Sequence, residues 1–250
     1  MNYGIYISAE GAMTQSTRME VIANNLANAA TVGFKRDLAI AQSRLAEQTQ
    51  RGLDIPGSRG INDLGGGVEV TQTVTDFAPG PIKNTGGESD LAIPGDGFFM
   101  IRRGNQDFLT RAGNFQFSSL GELITQDGDQ VLTEDGEPVI IDPTGGQPRF
   151  TPDGALQQGT STRNLALVEP ASKGDLVKQG DNLYVSLSAP RALLPEERKV
   201  AAGHLEMSGV KAPYEMLEMI QTSRAFEANS NLIRSQDQLY GTLLSKLLKA

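Results

Sequence analysis

The stretch "VIANNLANAATVGFKRD", residues 21–37, begins as a helix and then sets Asn24, Asn25 and Asn28 where a soluble helix favours Ala, Leu or Glu. Asparagine is a mediocre helix-interior residue because its amide competes for the backbone's own hydrogen bonds. Upstream, Ile5, Ala9, Ala12, Ser16, Met19, Ala23, Leu26 and Ala30 form one register, spaced alternately by four and three. That is the spacing of a coiled-coil seam. Its side chains are small, so a partner helix can approach closely. A helix of about 25 residues is roughly 37 Å long. Thr31-Val32-Gly33 is expected to stop it, with Gly33 in the left-handed conformation of a helix C-cap.

The far end of the chain repeats the pattern. After "SGVKAP", with Pro213 suited to a helix start, Met219, Phe226, Ile233, Tyr240 and Leu247 recur every seven residues. Ala225, Leu232 and Leu239 widen that stripe. A strict seven-residue repeat implies helices that supercoil around partners. Ser223, Ser230 and Asp237 are read as the polar or small half of the seam, which suits a larger packed assembly better than a free dimer.

Between the ends the helical period vanishes. "GVEVTQTV", "DLAIPGDGFFMIRR", "DFLTRAGNFQFSS", "GELITQDGDQVLTEDGEPVII" and "NLYVSLSA" are short apolar or alternating runs, punctuated by Gly95-Asp96-Gly97, Asp127-Gly128 and Asp135-Gly136. Asp-Gly between alternating runs signals hairpins. The predicted fold class is therefore α+β, with N- and C-terminal helices paired in a coiled-coil-like inner domain and an inserted all-β domain of short strands. Residues 1–41 supply the first helix, 42–85 an extended connector, 86–204 the β domain and 205–250 the second helix. No tandem repeat is visible.

A chain of 250 residues with 38% hydrophobic content can bury a core. Charge is uneven. Residues 1–50 hold 4 basic and 4 acidic side chains and residues 205–250 hold 5 of each, whereas 86–204 hold 10 basic and 17 acidic. An acidic middle between neutral, patterned ends argues against a nucleic-acid partner, which requires a basic face. There is no cysteine, hence no disulfide or thiolate chemistry. No stretch has the apolar length of a membrane span, so membrane insertion is not expected. The N-terminus lacks the basic and apolar regions of a cleaved signal peptide.

Equipment for catalysis is sparse. His204 is the single histidine and no G-x-S-x-G elbow presents a serine to it. Zinc-type Cys/His clusters are lacking. "QDGDQVLTEDGE" gathers Asp127, Asp129, Glu134 and Asp135, but the order of a calcium loop fails. "LGGGVEV" lacks the GK[ST] of a phosphate loop and "PGDGFF" is not followed by a helix. No catalytic residue, metal ligand or cofactor site is assigned.

"IANNLANAATVGFKR" resembles the N-terminal signature of the bacterial flagellar axial family of rod, hook and hook-associated proteins. "SDLAIPGDGFFMIRR" with "DFLTRAGNFQFSSLGELITQDGDQVL" resembles that family's β-domain opening, and "GHLEMSGVKAPYEMLEMIQTSRAFEANSNLIRSQDQLYGTLL" its C-terminal helix. Length and a single β domain favour its rod proteins, the proximal before the distal or a hook-type subunit. In one departure, "LEMSGV" has Gly209 where the family pattern has Asn, which leaves the hydrogen bonding of that cap open.

The resemblance implies a structural subunit, not an enzyme, that polymerises helically through its terminal helices into a torque-transmitting shaft and export channel. It implies residence in the basal body across the periplasm and export without a cleaved signal peptide. Implied partners are other copies of the chain, other rod proteins, the basal-body ring proteins and the flagellar type III export apparatus. Asn24, Asn25, Leu26, Asn28, Gly33, Phe34 and Lys35 form the implied assembly signature. Met219, Phe226, Ile233, Tyr240 and Leu247 form the C-terminal interface. In a tube of helices the asparagines are expected to satisfy one another or neighbouring backbones across subunits, fixing register at some cost in stability. Phe34 is expected to anchor the connector. Alternatives are an accessory enzyme on a flagellar scaffold, marked by an acidic pair in a cleft, or a free coiled-coil adaptor.

Overall fold

The structure, a computed structural model, describes residues 3–53, 55, 65–142 and 145–248, without the side chains of Tyr3, Glu47, Gln48 and Leu247. It is α+β, with a helix at each end and many short strands in small sheets between them. The chain falls into two compact units.

The first unit comprises Met1–Ala27, Asp37–Asp76 and Lys211–Ala250. Its elements are α1 (Tyr3–Ala27), β1 (Arg36–Arg44, whose first residue belongs to the other unit), α2 (Glu47–Gln50), β2 (Gly67–Asp76) and α3 (Ala212–Leu247). The two long helices run antiparallel. A Cβ on Gly4 would meet the Gln236 amide and one on Gly11 the Asn229 amide. Arg18 Nη2 reaches Glu218 Oε2 at 2.9 Å, and Asn25 Nδ2 lies 3.4 Å from Glu215 Oε2.

Gly4, Gly11, Arg18 and Asn25 thus mark the face of α1 that meets α3. This is one residue ahead of the expected Ile5, Ala12, Met19 and Leu26 register. The reason is steric: glycine has no side chain, so the long amides of α3 lie directly against the α1 backbone. On α3 the polar positions facing α1 include Asn229 and Gln236, with Thr222 buried, one residue before Ser230, Asp237 and Ser223.

β1 and β2 form a two-stranded ribbon, so the expected extended connector contains paired strands. Thr14 Oγ1 donates to Val68 O, and Arg44 Nη1 to Glu10 Oε1 at 2.9 Å, tying the ribbon to α1. Residues 54 and 56–64 of the expected connector lie outside the described residues.

The second unit comprises Asn28–Arg36 and Phe77–Val210. It opens with β3 (Ile82–Asn84), β4 (Leu91–Ala92), β5 (Phe98–Arg103) and β6 (Gln106–Thr110), and its last strand is His204–Glu206. β5 and β6 form a hairpin, with Gly104 at φ +63° opening a two-residue turn. Side chains alternate across β5. Phe99 and Ile101 enter the main core with Leu123, Val131, Leu165 and Leu167. Phe98 and Met100 enter a smaller cluster on the other face with Leu109, Val168, Tyr184 and Phe77. Both faces of the strand are thereby covered, which fixes its register.

Helix α1 ends at Ala27 and does not reach Thr31-Val32-Gly33 as expected. Asn28 bends the chain into a turn: its carbonyl accepts from Thr31 N at 3.2 Å, and its side-chain Oδ1 accepts from Thr31 Oγ1 at 3.1 Å. Such local polar bonds compete with helix continuation. Gly33 adopts φ +69°, but its role is not a C-cap.

Candidate functional site

Gly33 N–H donates to the Glu206 carbonyl at 2.7 Å, and Gly209 N–H donates to Phe34 O at 2.9 Å. The segment leaving the β unit toward α1 is therefore laced to the segment leaving toward α3. A Cβ at Gly33 would stand 2.5 Å from Ala112 N and from the Arg111 carbonyl carbon. Glycine is required there by close backbone approach as well as by positive φ.

This seat delivers Lys35 into the interior. Its Nζ is 2.6 Å from Glu206 Oε1 and donates to Ala78 O at 3.0 Å. Gly80 N–H adds a bond to the same carboxylate oxygen at 2.8 Å. Glu206 Oε2 faces Arg111 Nη1 at 3.2 Å. Arg111 further donates to Ile93 O at 3.2 Å and Gly95 O at 2.7 Å, and its guanidinium lies 4.9 Å from the Phe98 ring centre. Relative exposures are 1% for Lys35, 2% for Glu206 and 4% for Arg111.

Burying three charges is tolerable only because each is paired and hydrogen-bonded. Two cations share one carboxylate, and backbone carbonyls and the Phe98 ring disperse the surplus positive charge. Burial pushes the Arg111 guanidinium below its ordinary pKa, opposed by Glu206. The surplus is felt by Asp96. Lys173, 2.8 Å away, holds its carboxyl below the ordinary value, and Arg111 and Lys35 pull the same way.

A second buried polar element lies within the helical unit. Asn25, 1% exposed, donates from Nδ2 to Asp37 O at 2.8 Å and accepts from Asp37 N at 2.9 Å. One amide side chain thus pairs with one residue of β1 as a neighbouring strand would.

The signature residues therefore have different fates. Asn25 finds its partners inside the chain. Asn24 is exposed, while Leu26 and Asn28 are half-buried. Gly33, Phe34 and Lys35 are buried, with Lys178 Nζ 4.0 Å from the Phe34 ring centre. On α3, Met219, Phe226 and Ile233 are half-buried and Tyr240 is exposed; the Leu247 side chain lies outside the described residues. Glu206 and Arg111 were not singled out in sequence, although both lie inside the quoted family-like stretches. The available signal was a charge breaking an apolar strand end, in "HLEMSGV" and "FLTRAG".

His204 sits on the last strand with Nδ1 2.8 Å from Ala202 O. Asp129, which sequence placed near a calcium reading, is held by Arg103 at 2.8 Å through both oxygens. Gly128 and Gly136 take positive φ in the two turns of that stretch. Gly209 leaves room: a Cβ there would meet Phe34 O at 3.7 Å and Ala78 O at 3.9 Å. The α3 N-cap is Lys211, without a side-chain capping bond.

Helices with exposed apolar faces, and a charged cluster closed on its own partners, define a structural and interaction-bearing protein. Comparison with known proteins agrees. Residues 5–35 match the family described as flagella basal body rod protein, 92–158 the flagellar hook protein FlgE/F/G D1 domain, and 201–246 the flagellar basal body rod FlgEFG protein C-terminal. Lys35, Arg111 and Glu206 fall one in each. The flagellar basal-body rod protein FlgF of Caulobacter vibrioides is 31% identical over 251 residues, covering 100% of this chain and 99% of that protein. FlgF of Mesorhizobium japonicum is 30% identical, covering 98% and 100%. The rod protein FlgG of Bacillus subtilis is 33% identical, covering 96% and 97%. The chain belongs to the flagellar basal-body rod family, whose members are structural proteins of the flagellum rather than enzymes. Among the described residues no helix is long and apolar enough to cross a membrane.

Proposed function

We propose that this chain is a subunit of the basal-body rod that polymerises helically through residues 1–35 and 205–250, building a shaft that carries torque and encloses the export channel. The observation that carries the reading is the unshared length of α3. It has 36 residues against 25 in α1, and Gly4, near the start of α1, already lies opposite Gln236. The turns beyond carry Leu239, Tyr240, Leu243, Leu244 and Leu248, all exposed. Contiguous apolar surface of this kind marks an interaction site, and other rod subunits are its natural cover. Continuation of the Met219–Phe226–Ile233–Tyr240 spacing into these turns supports coiled-coil-like packing there.

A proximal position is favoured over a distal or hook-type one by end-to-end matching to proteins named FlgF over 251 and 252 residues. Contacts of the β unit with ring proteins, and passage through the type III export apparatus, complete the proposal. Electron microscopy of basal bodies from a strain lacking the chain, with the gene restored as control, tests it. A missing or truncated rod without a hook is expected, and the stub length separates proximal from distal. Complete rods and hooks would overturn the reading.

A further inference from the structure

We propose that the outward stripe of α1 docks α3 of a second copy of this chain, in the register that sets Glu20 against Arg234, Met13 against Gly241 and Tyr6 against Leu248. This rests on the rod reading above, since it names the surfaces and the offset through which copies join.

Tyr6, Met13, Glu20 and Ala27 recur every seven residues along α1, and all are exposed, Tyr6 and Met13 to 68%. They point away from Gly4, Gly11, Arg18 and Asn25, the positions that meet α3 of the same chain. On α3, Ile220, Glu227, Arg234, Gly241 and Leu248 recur with the same spacing and are exposed as well. Two stripes of equal period stay in contact along their length. Of the charges on α1, Glu10 is held by Arg44 and Arg18 by Glu218. Among the described residues Glu20 has no ion-pair partner, and neither has Arg234.

α1 and α3 are antiparallel within one chain, so copies of one polarity also bring α3 of one antiparallel to α1 of the next. Three cations of α3 then compete for Glu20. Arg224 would carry Met13 and Tyr6 onto Asn231 and Gln238, setting apolar surface on amides. Lys246 would carry both beyond Leu247, where α3 ends. Arg234 alone brings Met13 onto Gly241, where an added Cβ would meet nothing within 4 Å, and Tyr6 onto the exposed Leu248. A slip of one heptad sets Glu20 against Glu227 in one direction and against Gly241 in the other. Apolar burial supplies the affinity, and the charges select the register. A groove lined by Phe226, Glu227, Ser230, Asn231 and Arg234 runs beside the stripe, and the same register lays the small side chains of Ala23 and Ala27 over it.

Within one chain Gly4 lies opposite Gln236 and Gly11 opposite Asn229, which sets Met13 level with Glu227. Between copies Met13 is level with Gly241, two heptads or about 21 Å further along α3. The neighbouring copy is displaced by that distance along the helix axis. Because two different surfaces meet, the contact repeats without closing.

The chain has no cysteine, so the offset can be read by disulfide formation. Met13→Cys/Gly241→Cys cannot close within one chain, where about 21 Å separates the positions and a disulfide spans at most about 7 Å between Cα atoms. Both positions are exposed, so neither change burdens the fold. In cells producing this variant as the sole copy, oxidation is expected to give disulfide-linked multimers of the chain. Met13→Cys/Leu248→Cys, one heptad out, is expected to give far fewer. Adding Glu20→Arg should lower the linked fraction about 2- to 5-fold, the range of an exposed ion pair, and adding Arg234→Glu to that should restore it.

An absence of multimers, equal linkage from the pair one heptad out, or linkage to a different protein overturns the proposal. So does a linked fraction that ignores Glu20→Arg, or one that the charge swap fails to restore. Linkage is read on gels whether or not the chain sits in rods. Complete rods in the deletion strain would therefore refute the rod reading and still leave this contact decided by its own result.

Discussion

Lys35 Nζ and Glu206 Oε1 meet at 2.6 Å in the interior of the β unit, and Arg111 Nη1 approaches the other carboxylate oxygen at 3.2 Å. The arrangement is asymmetric, two cations on one anion, and the asymmetry makes the variants unequal. Glu206→Gln strands two buried cations and is expected to cost about 3–5 kcal/mol, the usual penalty for breaking a buried pair from one side. Lys35→Ala leaves a neutral Glu206–Arg111 pair and loses chiefly hydrogen bonds, about 1–3 kcal/mol. Urea unfolding of the full chain measures both. A Lys35 variant that costs more than the Glu206 variant would contradict this account of the charge balance.

Asn25 yields a sharper test because its amide works as donor and acceptor at once. Asn25→Asp keeps the shape but turns the donor into an oxygen facing Asp37 O, beside the buried Glu215 carboxylate. Asn25→Leu removes the Asn25 amide from both Asp37 backbone groups. Each is expected to lose about 1–3 kcal/mol, seen as loss of exchange protection at the Asp37 amide. Asn24→Ala, at an exposed position, is expected to stay within about 0.5 kcal/mol. Equal effects at 24 and 25 would mean that the Asp37 pairing is not what Asn25 provides.

These residues also show what sequence could reveal. The helical ends and strand-rich middle were legible because period and turn residues act locally. Gly33 was legible as a left-handed position, but its cause is a backbone pressed on Arg111 and Ala112, which lie far along the chain. The α1 seam was misplaced by one residue because apolar spacing was followed, while the close approach is made by Gly4 and Gly11. The ribbon β1–β2 was hidden because β1 ends at Arg44 and β2 begins only at Gly67, so no tight turn announces the pairing. Glu206 and Arg111 were hidden for the same reason as Gly33's role: their meaning depends on partners from three separated segments.

The two glycines on the stems, the segments leading to α1 and α3, make opposite predictions. Gly33→Ala forces a Cβ into the Arg111–Ala112 backbone at φ +69°, so it is expected to cost upwards of about 1–2 kcal/mol and to release the Lys35 stem. Gly209→Asn meets only ordinary contacts and reduces the freedom of the unfolded chain. It is expected to leave stability unchanged or raised by about 0.4–1 kcal/mol. Thermal or urea melts of the two variants check the pair, and a destabilising Gly209→Asn would show that the stem is tighter than its contacts indicate.

Acid sensitivity of the β unit is expected to come in part from Glu134. Its carboxylate receives the buried Arg198 guanidinium at 2.8 Å and the Asn164 amide at 3.3 Å, and the Arg198 bond holds its pKa below the ordinary 4.5. Because the folded value lies below the unfolded one, the unfolded chain binds more protons between the two, and stability rises with pH across that window. The contribution is complete above about 4.5 and is lost as pH falls through the depressed value. Asp96, held down by Lys173, acts in the same direction. Both carboxylates are well exposed, so solvent screens each pair and the effect of either is modest. Urea midpoints measured from pH 7 to pH 3 are expected to be flat near neutrality and to fall in acid, less steeply in Glu134→Gln. High salt should weaken the exposed Asp96–Lys173 pair more than Glu134 with its buried arginine. An unaltered acid slope in Glu134→Gln would assign the sensitivity to other carboxylates.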